Sequence, residues 1–331
     1  MSILVTGGAG YIGGHLLLAL RDAGETVVAV DDLSNGTPGA IPAGVPFVQG
    51  DIGDEPLVSR VMREHRVDTV MHLAARLIAP AYYDDPLEYY RTNTAKTCAL
   101  LSAAKACAVR HVVFSSTAAV YGNAPANPVR EDAPLAPVSA YGASKLMVER
   151  MLQDLAAASP IGYAILRYFN VAGADPLGRH GQSSTRTSLL VQIAVQAALG
   201  IRPYVEIYGN DYPTPDGTCI RDYIHVTDLV AAHLAALRHL RRGGASFIGN
   251  CGYGHGYSVS EILDMAERTT GRPIERRIAP RRRGDVTEVY ADATFVRSTL
   301  EWQPRYDDLA TIVEHAARWE AQLLRINASP A

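Results

Sequence analysis

The chain opens MSILVTGGAGYIGGH: a β-branched run, then Gly7-Gly8-Ala9-Gly10-Tyr11-Ile12-Gly13 leading straight into an amphipathic stretch that closes at Gly24. A strand that turns on glycines into a helix restricts the fold more than anything else in the sequence. The glycines let the backbone turn tightly and approach a pyrophosphate, and the unpaired N–H groups at the helix start stabilise it. A glycine turn alone is common, so its meaning depends on the residues after it. The next apolar run, TVVAV (26–30), ends in Asp31, at the spacing where a carboxylate accepts hydrogen bonds from a ribose 2′-hydroxyl. A carboxylate there also repels a 2′-phosphate, so NAD is expected rather than NADP. Asp51, after the third run, is placed to face the adenine ring in the same way.

The alternation continues. ILVT (3–6), TVVAV (26–30), PFVQ (46–49), TVMHL (69–73), HVVFSS (111–116) and YAILR (163–167) read as strands, nearly continuous in apolar residues, as strands covered on both faces are. Helical stretches at 11–23, 55–64, 89–107 and 140–157 separate them. This predicts an α/β fold, a doubly wound parallel sheet of Rossmann type. From about residue 170 the pattern is irregular and richer in Pro, Gly and Tyr, with helices expected at 187–199, 226–240, 258–269 and 308–324. The expectation is a smaller, discontinuous substrate-binding α/β part. Residues 1–168 with about 223–247 form the NAD-binding domain, and 169–222 with about 248–331 form the second part.

Composition excludes several classes. With 20% charged residues, 48% hydrophobic residues and a net charge of −3, the chain reads as an ordinary soluble domain of 331 residues. Its densest basic run, Arg281-Arg282-Arg283, is too short to suggest nucleic acid. The opening stretch has no basic n-region and too short an apolar run for a signal peptide or a membrane span. Cys98, Cys107, Cys219 and Cys251 lack CxxC spacing, which argues for reduced thiols, no metal site and a cytoplasmic protein.

The chemistry points to SAYGASKLMVER (139–150). Only three of the 31 Lys+Arg residues are lysines, namely Lys96, Lys105 and Lys145. Lys145 follows Tyr141 by four residues, so both project from one helix face. A cation beside a phenol favours phenolate. A compact ammonium can reach a phenol and ribose hydroxyls together, which a planar guanidinium does less well. Tyr141 is thus the candidate acid/base and Lys145 its partner. Ser115-Ser116-Thr117 ends the fifth strand, where open parallel sheets place ligands, and a hydroxyl there can share a proton with Tyr141.

Longer stretches carry a resemblance: VTGGAGYIGGH, VDDLSNG, SSTAAVYG, YGASKLMVERML, LRYFNVAGADP, IYGNDYPTPDGTCIRDYIHVTDL and RRRGDVTEVYADA. Over nearly its whole length the chain resembles the extended short-chain dehydrogenase/reductase family, and within it the UDP-glucose (UDP-galactose) 4-epimerases. The resemblance implies Tyr141, Lys145 and Thr117 as the catalytic set. For NAD it implies Gly7, Gly10, Tyr11, Ile12, Gly13, Asp31, Asp32, Ser34, Asn35, Gly36, Asp51, Ile52, Leu73, Ala74, Ala75, Ser115 and Tyr168, with Asn93 as the family's structural asparagine. For the UDP-sugar it implies Asn170, Ser188, Leu189, Glu206, Tyr208, Arg221, Arg282, Asp285 and Val289. The implied reaction inverts C4 through a transient 4-keto sugar, with Tyr141 moving the 4-hydroxyl proton and NAD regenerated in each cycle. Val289 is implied to lie by the sugar's 2-substituent, where a small residue admits an acetamido group.

Two loops depart from the family pattern. Leu77, beside Arg76, stands where a lysine often approaches the cofactor, and 184–191 adds Arg186 on the uracil side. A nucleotide-sugar dehydratase would need acids after Thr117, where Ala118 and Ala119 stand instead. A reductase that releases its product, an epimerase of a pentose or uronate, and a non-enzymatic NAD sensor stand as rival functions for the same fold. A homodimer is expected through helices 89–107 and 140–157, whose apolar stripe includes Leu100, Leu101, Met147, Met151 and Leu155.

Overall fold

A computed structural model describes residues 1–77, 85–184, 187–282 and 284–328. The sequence readings at 78–83, Arg186 and Arg283 lie outside these residues. The first half runs β1 (Ser2–Thr6), α1 (Tyr11–Asp22), β2 (Val27–Asp31), β3 (Phe47–Gln49), α2 (Glu55–Glu64), β4 (Val67–His72), α3 (Leu87–Tyr89), α4 (Lys96–Ala106), β5 (His111–Ser115), α5 (Ala140–Ala157) and β6 (Gly162–Tyr168). The second half adds β7 (Asn170–Ala172), α6 (Leu190–Ala198), β8 (Val205–Tyr208), β9 (Ile220–Arg221), β10 (Tyr223–His225), α7 (Val226–Arg241), β11 (Phe247–Cys251), β12 (Tyr257–Ser258), α8 (Val259–Thr270), β13 (Arg276–Ala279), β14 (Glu288–Val289), α9 (Thr294–Leu300) and α10 (Leu309–Ala328).

Seven strands form a parallel sheet in the order β11-β6-β5-β4-β1-β2-β3. The order reverses at β1, which leaves a crevice at the carboxyl ends of β1 and β4. Because side chains alternate along a strand, Ile3 and Val5 enter one core with Leu16, Leu17 and Leu20 of α1 and Leu229 of α7. Leu4 points the other way, into a second core with Val58 and Met62 of α2, Leu100 of α4 and Val148 of α5. Both faces are covered, which is why β1 is buried at all five positions. Truncating Leu16 or Leu17 to Ala would cost roughly 2–5 kcal/mol.

The helix expected over 89–107 is interrupted. Tyr90–Ala95 form a π turn between α3 and α4, a wider turn that period-3.6 patterning cannot reveal. It points Asn93 inward, where its Oδ1 accepts from the Arg76 amide at 2.7 Å and its Nδ2 donates to Ser144 Oγ at 3.1 Å. Of the expected apolar stripe, Leu100 and Leu101 are buried and Met151 and Leu155 pack against the same core, so these four face the chain's own sheet. Met147 is 46% exposed. The smaller part holds the pairs β7–β10 and β8–β13 and the trio β12-β9-β14, covered by α6, α8 and α10. Among the described residues no helix is long and apolar enough to cross a membrane.

Candidate active site

One cleft of about 1020 Å³ lies over the carboxyl ends of the central strands and continues to β9 and β14. At its first end the β1–α1 turn is closed to side chains at Gly7 and Gly13. A Cβ on Gly7, whose φ is +73°, would lie 2.7 Å from the Ala74 amide nitrogen, and one on Gly13 would lie 2.0 Å from the Gly7 carbonyl. Helix α1 starts at Tyr11 behind Gly10, which offers no side-chain cap, so its first N–H groups are available to a ligand in the cleft. Asp31 is buried at the same end. Its two oxygens accept from the Ala9 amide at 3.0 Å and the Leu33 amide at 2.8 Å, which leaves acceptor capacity on each. Burial raises the Asp31 pKa, and those two amides work against it. A tight glycine cradle, an open helix start and a fixed carboxylate fit the pyrophosphate and ribose of NAD. Asp32, Ser34, Asn35, Gly36, Asp51, Ile52, Leu73, Ala74, Ala75 and Tyr168 line the cleft with them.

Mid-cleft stand Thr117 and Tyr141. Ser139 caps α5 by accepting from the Gly142 amide at 3.1 Å, which sets the first turn and with it Tyr141. Burial pushes the Tyr141 phenol up to about 12, and the Thr117 hydroxyl beside it pulls the other way. Lys145, one turn on, is buried behind the wall. Its Nζ donates to the Ser115 carbonyl at 2.8 Å and sits 4.8 Å above the Phe114 ring. Burial lowers the Lys145 pKa to about 7, against the opposing charge of Glu149. Among the described residues no hydrogen bond joins Lys145 to the phenol, so the pairing expected from sequence is one helix face rather than one contact.

At the far end Arg221, Arg282, Asp285 and Val289 line the cleft with Asn170, Ser188 and Leu189. Arg221 is held by backbone: its guanidinium donates to the carbonyls of Ile220 at 2.8 Å and Val286 at 2.6 Å. Arg282 stacks on the Tyr208 ring at 4.0 Å and pairs with Asp285 at 3.4 Å. Val289 is in the wall, and Tyr290 is turned toward Gly256.

Several expected residues stand back from the cleft. Glu206 and Tyr208 lie on β8, which pairs with β13; the Tyr208 hydroxyl donates to Glu206 at 2.5 Å, and of the stacked pair Arg282 and Tyr208 it is Arg282 that lines the cleft. Ser115 is buried and shares a hydrogen bond with His233 at 2.8 Å, so it braces the wall from behind. Asn93 likewise acts at the Arg76 backbone. Sequence reasoning did not pick out His180, Gln182 or Lys96, all of which line the cleft. For Lys96 a signal existed: the scarcity of lysine that singled out Lys145.

Residues 3–252 match the model of the NAD dependent epimerase/dehydratase family. A UDP-glucose 4-epimerase of Azospirillum brasilense is 54% identical over 321 residues, covering 97% of this chain and 92% of that protein. The crystal structure of a Stenotrophomonas maltophila UDP-glucose 4-epimerase with bound NAD and formylated UDP-arabinopyranose superposes with a TM-score of 0.94 at 40% identity, covering 98% of this chain and 99% of that one. The UDP-Glc/GlcNAc 4-epimerase of Campylobacter jejuni is also 40% identical, with a TM-score of 0.83 and coverage of 97% and 99%.

Proposed function

The chain belongs to the NAD dependent epimerase/dehydratase family, and from that premise we propose that it inverts C4 of a UDP-sugar, interconverting UDP-glucose and UDP-galactose. The observation that carries this reading is the continuity of one cleft, from the glycine turn and Asp31 past Thr117 and Tyr141 to Arg221 and Arg282. Bound NAD supplies the hydride acceptor and donor for C4. Tyr141 takes the proton from the 4-hydroxyl as C4 is oxidised and returns it when the sugar is reduced on its other face. Thr117 holds the same hydroxyl. The Lys145 charge favours the phenolate that Tyr141 passes through, offsetting the burial that disfavours it. Arg221 and Arg282 keep the diphosphate in place through charge-assisted bonds while the 4-keto sugar turns.

Ala118 and Ala119 follow Thr117 in the cleft wall, so no carboxylate stands there to drive the elimination a dehydratase needs. Val289 supports a wider range that includes UDP-GlcNAc and UDP-GalNAc, since a small side chain leaves room beside the sugar. We place NAD on residues 1–168 and on α7 and β11, which complete the large sheet and its cover, the UDP-sugar largely on the remainder, and the working form as a cytoplasmic homodimer. The test is proton NMR of the purified chain with UDP-galactose. Conversion to UDP-glucose with NAD carried by the protein supports the reading; binding of NAD with no turnover of any UDP-sugar refutes it.

A further inference from the structure

Two residues from distant parts of the chain meet at the cleft's outer corner. Lys96, the first residue of α4, places its Nζ 2.5 Å from Oδ2 of Asp51 in the turn between β3 and α2, and both side chains line the cleft. The other Asp51 oxygen accepts from the Gly53 amide at 2.8 Å. The lysine stem lies against this turn, since a Cβ on Gly53 would come within 2.9 Å of Lys96 Cγ. A carboxylate oxygen takes about two hydrogen bonds, so each Asp51 oxygen keeps one site open. β3 is the edge strand beyond β2, whose end carries Asp31. In an open sheet of this order, ribose at Asp31 leaves the Asp51 corner for the base.

We propose that Lys96 is a positioning residue for the purine of the dinucleotide: it ties the Asp51 turn to α4 and keeps the carboxylate oriented to accept from an exocyclic amine. This rests on the NAD-binding reading above. The local charges agree with it. Partial burial acts to raise the Asp51 pKa, but the Lys96 ammonium, the Gly53 amide and the more distant Arg76 together outweigh it and hold the carboxyl below its ordinary range. An ionised acceptor there welcomes the amine of adenine and repels the carbonyl of a 6-oxo purine. The pair therefore discriminates between two bases of nearly the same shape.

The test is calorimetric titration of the full chain, freed of carried nucleotide, with NAD and with its hypoxanthine analogue, in which oxygen replaces the 6-amino group. The wild-type chain is expected to favour NAD. Lys96→Met keeps the stem and removes the charge; it should weaken NAD binding about tenfold, the scale of one hydrogen bond to a charged group, while changing the analogue little. Lys96→Arg should recover most of the preference. Unchanged NAD affinity in Lys96→Met, or an equal loss for both dinucleotides, would overturn the proposal while leaving the NAD reading intact. If the wild-type chain binds neither dinucleotide, the NAD reading itself falls and this inference with it.

Discussion

The two ends of the cleft are built by different means. At the cofactor end the wall is built on backbone: a turn in which Gly7 and Gly13 leave no room for a Cβ, closed against Ala74 and following β1, an inner strand of the seven-stranded sheet. At the arginine end the wall is long side chains projecting from short strands, with Arg282 stacked on Tyr208, Arg221 held by the Ile220 and Val286 carbonyls, and β9 and β14 only two residues long each. A rigid cradle suits a group that stays through every cycle. A wall of charged side chains suits a diphosphate that anchors the sugar while it turns. The contrast predicts that substitutions can disable chemistry or substrate binding without releasing NAD.

Tyr141→Phe should show this most strongly. Loss of the phenol proton removes acid/base catalysis, so turnover should fall by about a thousandfold or more while NAD affinity is unchanged, measured by NMR turnover and calorimetry. A variant that turned over at near wild-type rate would take Tyr141 out of the mechanism. Lys145→Arg should also cost a large factor, because the Lys145 pocket is fully buried and a guanidinium does not fit the place of an ammonium.

Arg282→Leu probes the far end. Removing one charge-assisted contact to a diphosphate should raise the Kd for UDP at least about tenfold, with NAD affinity as in the wild type. Equal losses for UDP and NAD would erase the distinction between the two ends. Val289→Tyr should have a narrower effect, suppressing turnover of UDP-GlcNAc several-fold relative to UDP-galactose. If the unmodified chain epimerises UDP-galactose but not UDP-GlcNAc, the pocket reading fails.

The smallest effect concerns acid. Burial holds His15, behind the cofactor turn, and His72, bonded to Thr6 at 2.7 Å and Thr97 at 2.8 Å, at pKa values of about 3. Unfolded histidine titrates near 6.5, so between about pH 6.5 and 3 the unfolded chain binds protons that the folded chain refuses. Stability is therefore full above pH 6.5 and falls as the pH drops. At pH 5.5 each histidine should cost about 1.4 kcal/mol. Denaturant midpoints at pH 7.5 and 5.5 measure the loss, and His15→Phe should reduce it. An identical pH slope in that variant would remove His15 from the account.

The same contrast explains what could be read from sequence. The cofactor end was legible because glycine positions, strand periodicity and Asp31 are local signals, and the sheet follows from repeating them. The π turn at Tyr90–Ala95 was not, since nothing in the spacing of TNTAK marks one extra residue in a helical turn. Glu206 and Tyr208 stand back from the cleft because β8 takes its register from β13, some seventy positions later in the chain. The apolar stripe on α4 and α5 was ambiguous for a related reason: an apolar helix face does not say whether the sheet or another chain covers it. Lys96 was legible in principle, as one of three lysines, but its partner Asp51 lies 45 residues away.

In the proposed mechanism hydride leaves C4 and returns to it within one cleft. UDP-galactose carrying deuterium at C4 tests this most directly, with product examined by NMR and mass spectrometry. The expected product is UDP-glucose that keeps its deuterium at C4, with no NADH accumulating in solution. Loss of the label to solvent, or its appearance in free NADH, would contradict it.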